Sequence, residues 1–200
     1  MYLNYMQNRQ LLKNIDLHIK LLQKQKKYLI ETASKFSLEI INCINQKGKI
    51  LIAGNGGSAS DAQHFSTELT VKMSKIRRAL PFISLSTDTS AITAIGNDFN
   101  FDKIFSRQIE AIGFTNDIFI PISTSGNSKN IINAVKIAKR KKIKILSILG
   151  NKGGKVKNFS DQNFIVDSNN PSRIQEIHII FYQNLCQIVE NYFFSINGKN

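Results

Sequence analysis

KILIAGNGGSASDAQHFSTE, residues 49–68, passes from a short apolar run through three glycines into a polar, helix-like segment. An apolar run this short, closed by glycine, fits a strand buried on both faces. Four more runs have the same character: PFISL (81–85), DIFIPI (117–122), IKILSIL (143–149) and NFIVD (163–167). Amphipathic helical segments separate them. Strands alternating with helices imply right-handed crossovers and a parallel sheet covered on both faces. The expected fold is therefore α/β, a three-layer sandwich with a five-stranded parallel sheet flanked by helices.

Outside this frame, apolar residues recur at helical spacing from about residue 9 to 46: Leu11, Leu12, Ile15, Ile19 and Leu22, then Leu29, Ile30, Ala33, Phe36, Leu38 and Ile41. The pattern predicts a pair of N-terminal helices (1–48) ahead of the α/β domain (49–200), within one unit. A long helix over about 172–194 closes the chain. Repeats, low-complexity tracts and linkers are absent.

The chain has 200 residues, 42% of them hydrophobic and 20% charged, enough for one domain with a real core. Its formal charge of +13 would suit an anionic partner such as nucleic acid, an acidic membrane surface or a phosphorylated metabolite. The lysines are scattered, without the aromatic interleaving of an RNA-binding surface, and A/T-rich codons account for much of the excess. The reading is no nucleic-acid surface and no membrane partner. The densest basic run, KRKKIK (139–144), caps a helix C-terminus, where cations meet the negative end of the dipole. Cys43 and Cys186 are expected to be buried thiols, having neither disulfide nor zinc spacing. With neither a signal-like start nor an apolar run of about 18 residues, a cytoplasmic location is expected.

In open parallel sheets ligands gather beyond the carboxyl ends of the strands. Two such ends carry related chemistry, GNGGSAS after the first strand and STSGNS (123–128) after the third. In the first, Gly54, Gly56 and Gly57 let the backbone turn tightly at the positive end of a helix. The loop is neither a Walker A motif nor G-x-G-x-x-G. The second presents the hydroxyls of Ser123, Thr124, Ser125 and Ser128 around one glycine. Each loop alone also suits ordinary capping, with Ser58 and Asp61 as a capping box and Ser125 or Ser128 capping the next helix. Two such loops at neighbouring strand ends favour a phosphorylated ligand.

Just past the first loop, His64 and Glu68 stand at i, i+4 on one helix face. That spacing serves a surface pair, a core histidine or two ligands to one zinc ion. Their place one to two turns beyond a ligand loop favours the last. Asp61 reads as a helix-start charge.

GNGGSASDAQHF, TAIGNDFNFDKIFSRQ, ISTSGNS and RIQEIH, in this order and spacing, resemble the sugar isomerase (SIS) domain family, most closely its branch acting on seven-carbon sugar phosphates. The resemblance covers Lys49 to the final helix and fits the N-terminal helices, which it assigns to oligomerisation. It implies the SIS fold, a homotetramer, and interconversion of sedoheptulose 7-phosphate and D-glycero-D-manno-heptose 7-phosphate for lipopolysaccharide or another surface glycan. It places substrate on Asn55, Gly56, Gly57, Glu68, Asn97, Asp98 and Gln175, and the phosphate on Ser123, Thr124, Ser125 and Ser128. Glu68 is the base in this scheme. Zinc would be held by His64, Glu68, Gln175 and a fourth position, and no nucleotide cofactor is called for.

The fourth position falls eight residues after Gln175, where the family has an acid/base histidine and this chain has Gln183. Glutamine cannot shuttle a proton and is a weak zinc ligand. His178 might have replaced it, but an ideal helix points the two about 140° apart. Gln175 also has a capping reading, with Ser172. A non-catalytic alternative resembles the DnaA initiator-associating protein, which lacks the terminal histidine too and would bring a DnaA-type partner. Retention of Glu68 and STSGNS favours the isomerase.

Overall fold

The computed structural model describes residues 2–197. Five parallel strands, β1 (Ile50–Ala53), β2 (Phe82–Ser84), β3 (Ile118–Ser123), β4 (Lys144–Gly150) and β5 (Gln162–Val166), form one sheet in the order β2-β1-β3-β4-β5. The helices are α1 (Tyr2–Asn45), α2 (Gly57–Thr70), α3 (Thr89–Asp98), α4 (Ile104–Ile112), α5 (Lys129–Arg140) and α6 (Pro171–Asn197). All five strands fall where the apolar runs placed them, within a residue or two at each end.

Alternation along the strands assigns the layers. Ile50 and Ile52 of β1 join Ile118, Ile120 and Ile122 of β3 in the core shared with α1, α2 and α6. Leu51, Ala53 and Phe119 face the opposite core, filled by Phe105 and Ile109 of α4 and Ile131, Ala134 and Val135 of α5. The sheet is thus dry on both faces, so its strands show apolar runs instead of alternating polarity.

The N-terminal pair of helices is one helix. The bridging residues Gln23 to Lys27 are all good helix formers and contain neither Gly nor Pro, so nothing ends the first segment. At 44 residues α1 is about 66 Å long at 1.5 Å per residue. Its second half packs Leu29, Ala33, Phe36 and Ile40 into the core, while Leu11, Leu12, Ile15 and Ile19 farther out are exposed.

Lys139 and Arg140 occupy the last turn of α5, as the basic run implied, and both cysteines are buried and unpaired. No helix among the described residues is long and apolar enough to cross a membrane.

The chain passes from β1 outward to β2 and returns to the other side of β1 as β3. Strand order reverses between β1 and β3, so the crevice beyond their carboxyl ends is the topological switch point, where open α/β sheets bind ligands. Both glycine and serine loops open there.

Candidate active site

The first loop leaves β1 at Ala53, and Gly56, with φ of 55°, precedes α2 without any side-chain cap bond. Ser58 is buried inside the first turn, so the Ser58–Asp61 capping box does not form. Gly57 leaves room for its neighbour: a Cβ there would lie 2.7 Å from the Gln175 amide nitrogen, which would have to swing aside. Gln175 therefore hangs over the glycine loop. Its own capping box is also absent, because the Asn170 side chain accepts from the Ser172 N–H at 3.0 Å and caps α6 in its place.

The second loop is wound on itself. Ser123 Oγ accepts from the Gly126 N–H and Ser125 Oγ from the Asn127 N–H, each at 3.1 Å. Ser128 precedes α5 but makes no side-chain cap bond. Gly126, with φ of 63°, touches a third loop after β4, where an added Cβ would meet the Gly153 carbonyl oxygen at 2.1 Å. The Asn127 side chain accepts from the Lys155 N–H at 3.1 Å. This third loop, residues 150–155, was not singled out in the sequence, although its GNKGGK composition was the available signal.

Asn55 and Asn130 fasten the first two loops together through a reciprocal amide pair, 2.9 Å in each direction. Asn130 is buried and also accepts from the Ile131 N–H. The result is a floor of backbone N–H groups and small hydroxyls at the N-termini of α2 and α5, suited to a phosphate.

One to two turns along α2 the side chains become longer. His64 Nε2 lies 2.9 Å from Glu68 Oε1, and the Gln183 amide nitrogen lies 3.1 Å from the first and 3.2 Å from the second. The His64 side chain is 52% exposed and that of Glu68 18%, an open front and a covered back. The structure thus brings Gln183 level with His64 and Glu68, while Gln175 lies toward Gly57.

With a proton on His64 Nε2, both it and the Gln183 NH2 donate to Glu68 Oε1, and the three groups close on one another. A divalent cation would take that proton's place, finding lone pairs on His64 Nε2, Glu68 and a turned Gln183 amide oxygen. The residues thus fit a divalent ion, with two strong donors and amide oxygens to complete the set. No group of three or more His, Cys, Asp or Glu gathers among the described residues, so the set is weaker than a full zinc site.

Behind His64 lie Tyr182, which sequence reasoning passed over, and Asp61, which it read as a helix-start charge although the first turn of α2 holds no acidic residue. The Tyr182 hydroxyl is 3.1 Å from His64 Nδ1, and Tyr182 stacks on Phe65 with centroids 5.4 Å apart. Asp61, one turn before His64, is 5% exposed. Burial raises its pKa to about 6, against the opposing pull of the His64 charge and a hydrogen bond from Tyr182. Burial, then the Asp61 charge, pushes the Tyr182 hydroxyl up. The available signal for Asp61 was its i, i+3 relation to His64, on the same helix face.

Glu68 is steadied from its backbone. Arg77 donates to the Glu68 and Leu69 carbonyls at 2.9 and 2.8 Å, and fully buried Glu190 of α6 faces Arg77 at 3.5 Å. Glu190 also accepts from the Met73 and Ser74 N–H groups, at 2.9 Å each. His178 does not replace the missing histidine: it is wholly buried, its Nε2 is 3.0 Å from the Leu149 carbonyl, and burial drops its pKa to about 4. Asn97 and Asp98 lie exposed at the end of α3, bonded to each other at 2.9 Å.

Known proteins resemble this chain in sequence and in fold. The SIS domain family model matches residues 11–150. The chain is 51% identical over 162 residues to a phosphoheptose isomerase of Aliarcobacter butzleri, covering 81% of this chain and 84% of that one. It is 48% identical over 176 residues to a phosphoheptose isomerase of Helicobacter pylori, covering 88% and 92%. A solved phosphoheptose isomerase from Neisseria gonorrhoeae superposes with a TM-score of 0.87 at 38% identity, covering 92% of this chain and 98% of that one.

Proposed function

The chain belongs to the SIS domain family and, within it, to the phosphoheptose isomerases, and from that membership we propose that it interconverts sedoheptulose 7-phosphate and D-glycero-D-manno-heptose 7-phosphate at the crevice between β1 and β3. The observation that carries this reading is the juxtaposition, along α2, of a loop floor suited to phosphate and the His64–Glu68–Gln183 cluster.

Ser123, Thr124, Ser125 and Ser128 hold the phosphate in this scheme, with the N-termini of α2 and α5 supplying positive dipole ends. Asn55, Gly56, Gly57 and Gln175 line the path from phosphate to reacting carbons. Asn97 and Asp98 remain substrate contacts by resemblance, carried on the exposed end of α3. Glu68 takes the proton from the carbon beside the carbonyl and returns it to the neighbouring carbon. Its backbone clamp to Arg77 limits how far it drifts between the two. The Gln183 NH2 donates to the enediolate oxygens but exchanges no proton with them.

Zinc belongs to the proposal as the cation held by His64, Glu68, Gln175 and Gln183; when bound it would polarise the substrate carbonyl. Gln183 weakens that site and slows turnover. A cytoplasmic homotetramer supplying heptose to a surface glycan completes the reading, with the exposed apolar residues of α1 as support for assembly.

The test is turnover of sedoheptulose 7-phosphate by the purified protein, with and without added zinc. A Glu68→Gln variant should lose about 10²–10⁴-fold in kcat while still binding the sugar phosphate. A folded protein that binds the sugar phosphate but never turns it over would favour the interaction-platform alternative.

A further inference from the structure

We infer that the cleft between α4 and α5, in the layer opposite α1 and α6, docks an acidic peptide segment of another protein, one that carries a large apolar side chain among its carboxylates. The two helices run side by side in one direction. The Asn133 amide donates to the Asp102 carbonyl at 3.0 Å near their start, and the Lys141 ammonium to the Glu110 carbonyl at 2.6 Å near their end. Between them lies a trough of about 920 Å³. Each bank carries two exposed cations at i, i+4: Lys103 and Arg107 on one, Lys136 and Arg140 on the other. Like charges at that spacing repel, and Lys103 stands at the positive end of α4, where the dipole disfavours it. Of the four, only Arg140 gains from its helix end, so helix stability does not explain the arrangement. Phe99 supports the first bank, its ring centroid 4.1 Å from the Arg107 guanidinium carbon and 5.4 Å from Lys103 Nζ, which holds both cations without cancelling their charge. Among the described residues none of the four forms an ion pair, whereas neighbouring Lys139 is neutralised by Asp161 at 3.0 Å. Glu110 alone opposes them in the lining.

The lining selects the kind of anion. Its small polar groups are already spent, Ser106 Oγ on the Lys103 carbonyl at 3.1 Å and the Asn133 amide on Asp102. A small-molecule site is built on oriented polar groups. This trough offers instead a positive field over an apolar floor, Ile137 and Phe159, both packed on the core beneath. A nucleic-acid backbone would satisfy the cations but set nothing apolar on that floor. A second copy of this chain, at +13, brings the wrong sign. An acidic segment with a leucine or phenylalanine meets both demands, in the manner of a helix laid in a groove. The trough begins more than a turn along α5 from Ser128, so docking there leaves the crevice between β1 and β3 open.

Docking here does not depend on the reaction in the crevice, so the test is binding by the full chain. The probe is a fluorescein-labelled synthetic peptide of glutamates with leucine at every fourth position, followed by fluorescence anisotropy at physiological ionic strength. A counterpart with alanine in place of leucine, a duplex DNA and inorganic polyphosphate of matched charge are measured beside it. The leucine peptide should bind most tightly of the four. Lys136→Glu combined with Arg140→Glu should weaken it about tenfold or more, since two attractions become two repulsions. Lys26→Glu combined with Lys35→Glu, exposed on α1 and equal in net charge, should change it by no more than about twofold, because the pair lies outside the trough. Equal losses in the two double variants would mean a general field and overturn the cleft. Equal binding of the leucine and alanine peptides would overturn the role of the apolar floor and with it the peptide. Tighter binding of DNA or polyphosphate would overturn the acidic segment in favour of another polyanion, and a folded wild-type chain that leaves the leucine peptide free would overturn the docking surface altogether.

Discussion

The loop floor proposed for the phosphate and the histidine cluster meet along α2, the floor at its N-terminus and the cluster one to two turns on, yet they are built by opposite means. The floor is made of backbone and short side chains whose polar groups are mostly paired with one another: Ser123 with Gly126, Ser125 with Asn127, Asn55 with Asn130. The cluster is made of long side chains from two helices, with Glu68 accepting from both His64 and Gln183. A floor fixed by its own hydrogen bonds suits a group that stays put through the reaction, whereas long side chains at an open front can turn to meet a cation or a reacting oxygen. Changes to the floor should thus appear as lost stability and binding, and changes to the cluster as altered chemistry with the fold intact.

The largest effect is expected where the floor is tightest. Gly126→Ala demands a left-handed alanine and puts its Cβ 2.1 Å from the Gly153 oxygen. Left-handed strain alone costs about 1–2 kcal/mol, and the backbone clash adds to it. Urea unfolding should show at least about 3 kcal/mol of lost stability, or the protein should fail to accumulate. A variant of ordinary stability with only slower turnover would erase the distinction between the two regions.

Next comes His178, which separates α6's buried side from its cluster side. Its pKa is pushed down to about 4 by burial, so the folded state resists protonation that the unfolded chain accepts. Its contribution is fully present above pH 6.5 and is lost as pH falls toward 4. At about 1.4 kcal/mol per unit, the loss approaches 3 kcal/mol. Unfolding midpoints at pH 7 and 5 should fall more steeply for wild type than for His178→Gln. Equal slopes would mean that this histidine does not stay neutral in the folded core.

Legibility divides along the same line. The sheet and the two loops at its carboxyl edge were readable because short apolar runs and glycine or serine clusters are local signals. The N-terminal helix was mistaken for two because a polar stretch was taken for a break, although QKQKK, residues 23–27, continues a helix without strain. Gln183, which resemblance alone singles out eight residues after Gln175, lies beside His64 and Glu68. Tyr182 was missed, and Asp61 read as a helix-start charge, because their surroundings depend on α6 packing beside α2, over 100 residues apart. Asn130 was missed because nothing in SKN reveals that its amide turns back to Asn55.

Gln183→His sharpens the cluster's side of the comparison. It restores an imidazole beside His64 and Glu68 and replaces a weak amide donor by a strong one. Zinc affinity should rise by about tenfold or more, the scale on which metal-site partners act. Unfolding stability without metal should barely move. If stability rises while zinc affinity does not, Gln183 serves packing more than chemistry.

The smallest expected effect tests whether the two regions communicate. Asn130→Ala removes the partner of Asn55 and the acceptor for the Ile131 N–H, but Asn55 is only half-buried and can turn to water. The loss should therefore stay near 1 kcal/mol, the ordinary net worth of such bonds. Because the pair fastens the first loop to the second, that loss should appear mainly as a KM several-fold higher, with kcat nearly unchanged. Glu68 and His64 lie farther along α2, where Arg77 and Tyr182 hold them independently of the loop. A fall in kcat matching the rise in KM would mean that the glycine loop also aims the base, and that floor and cluster act as one device.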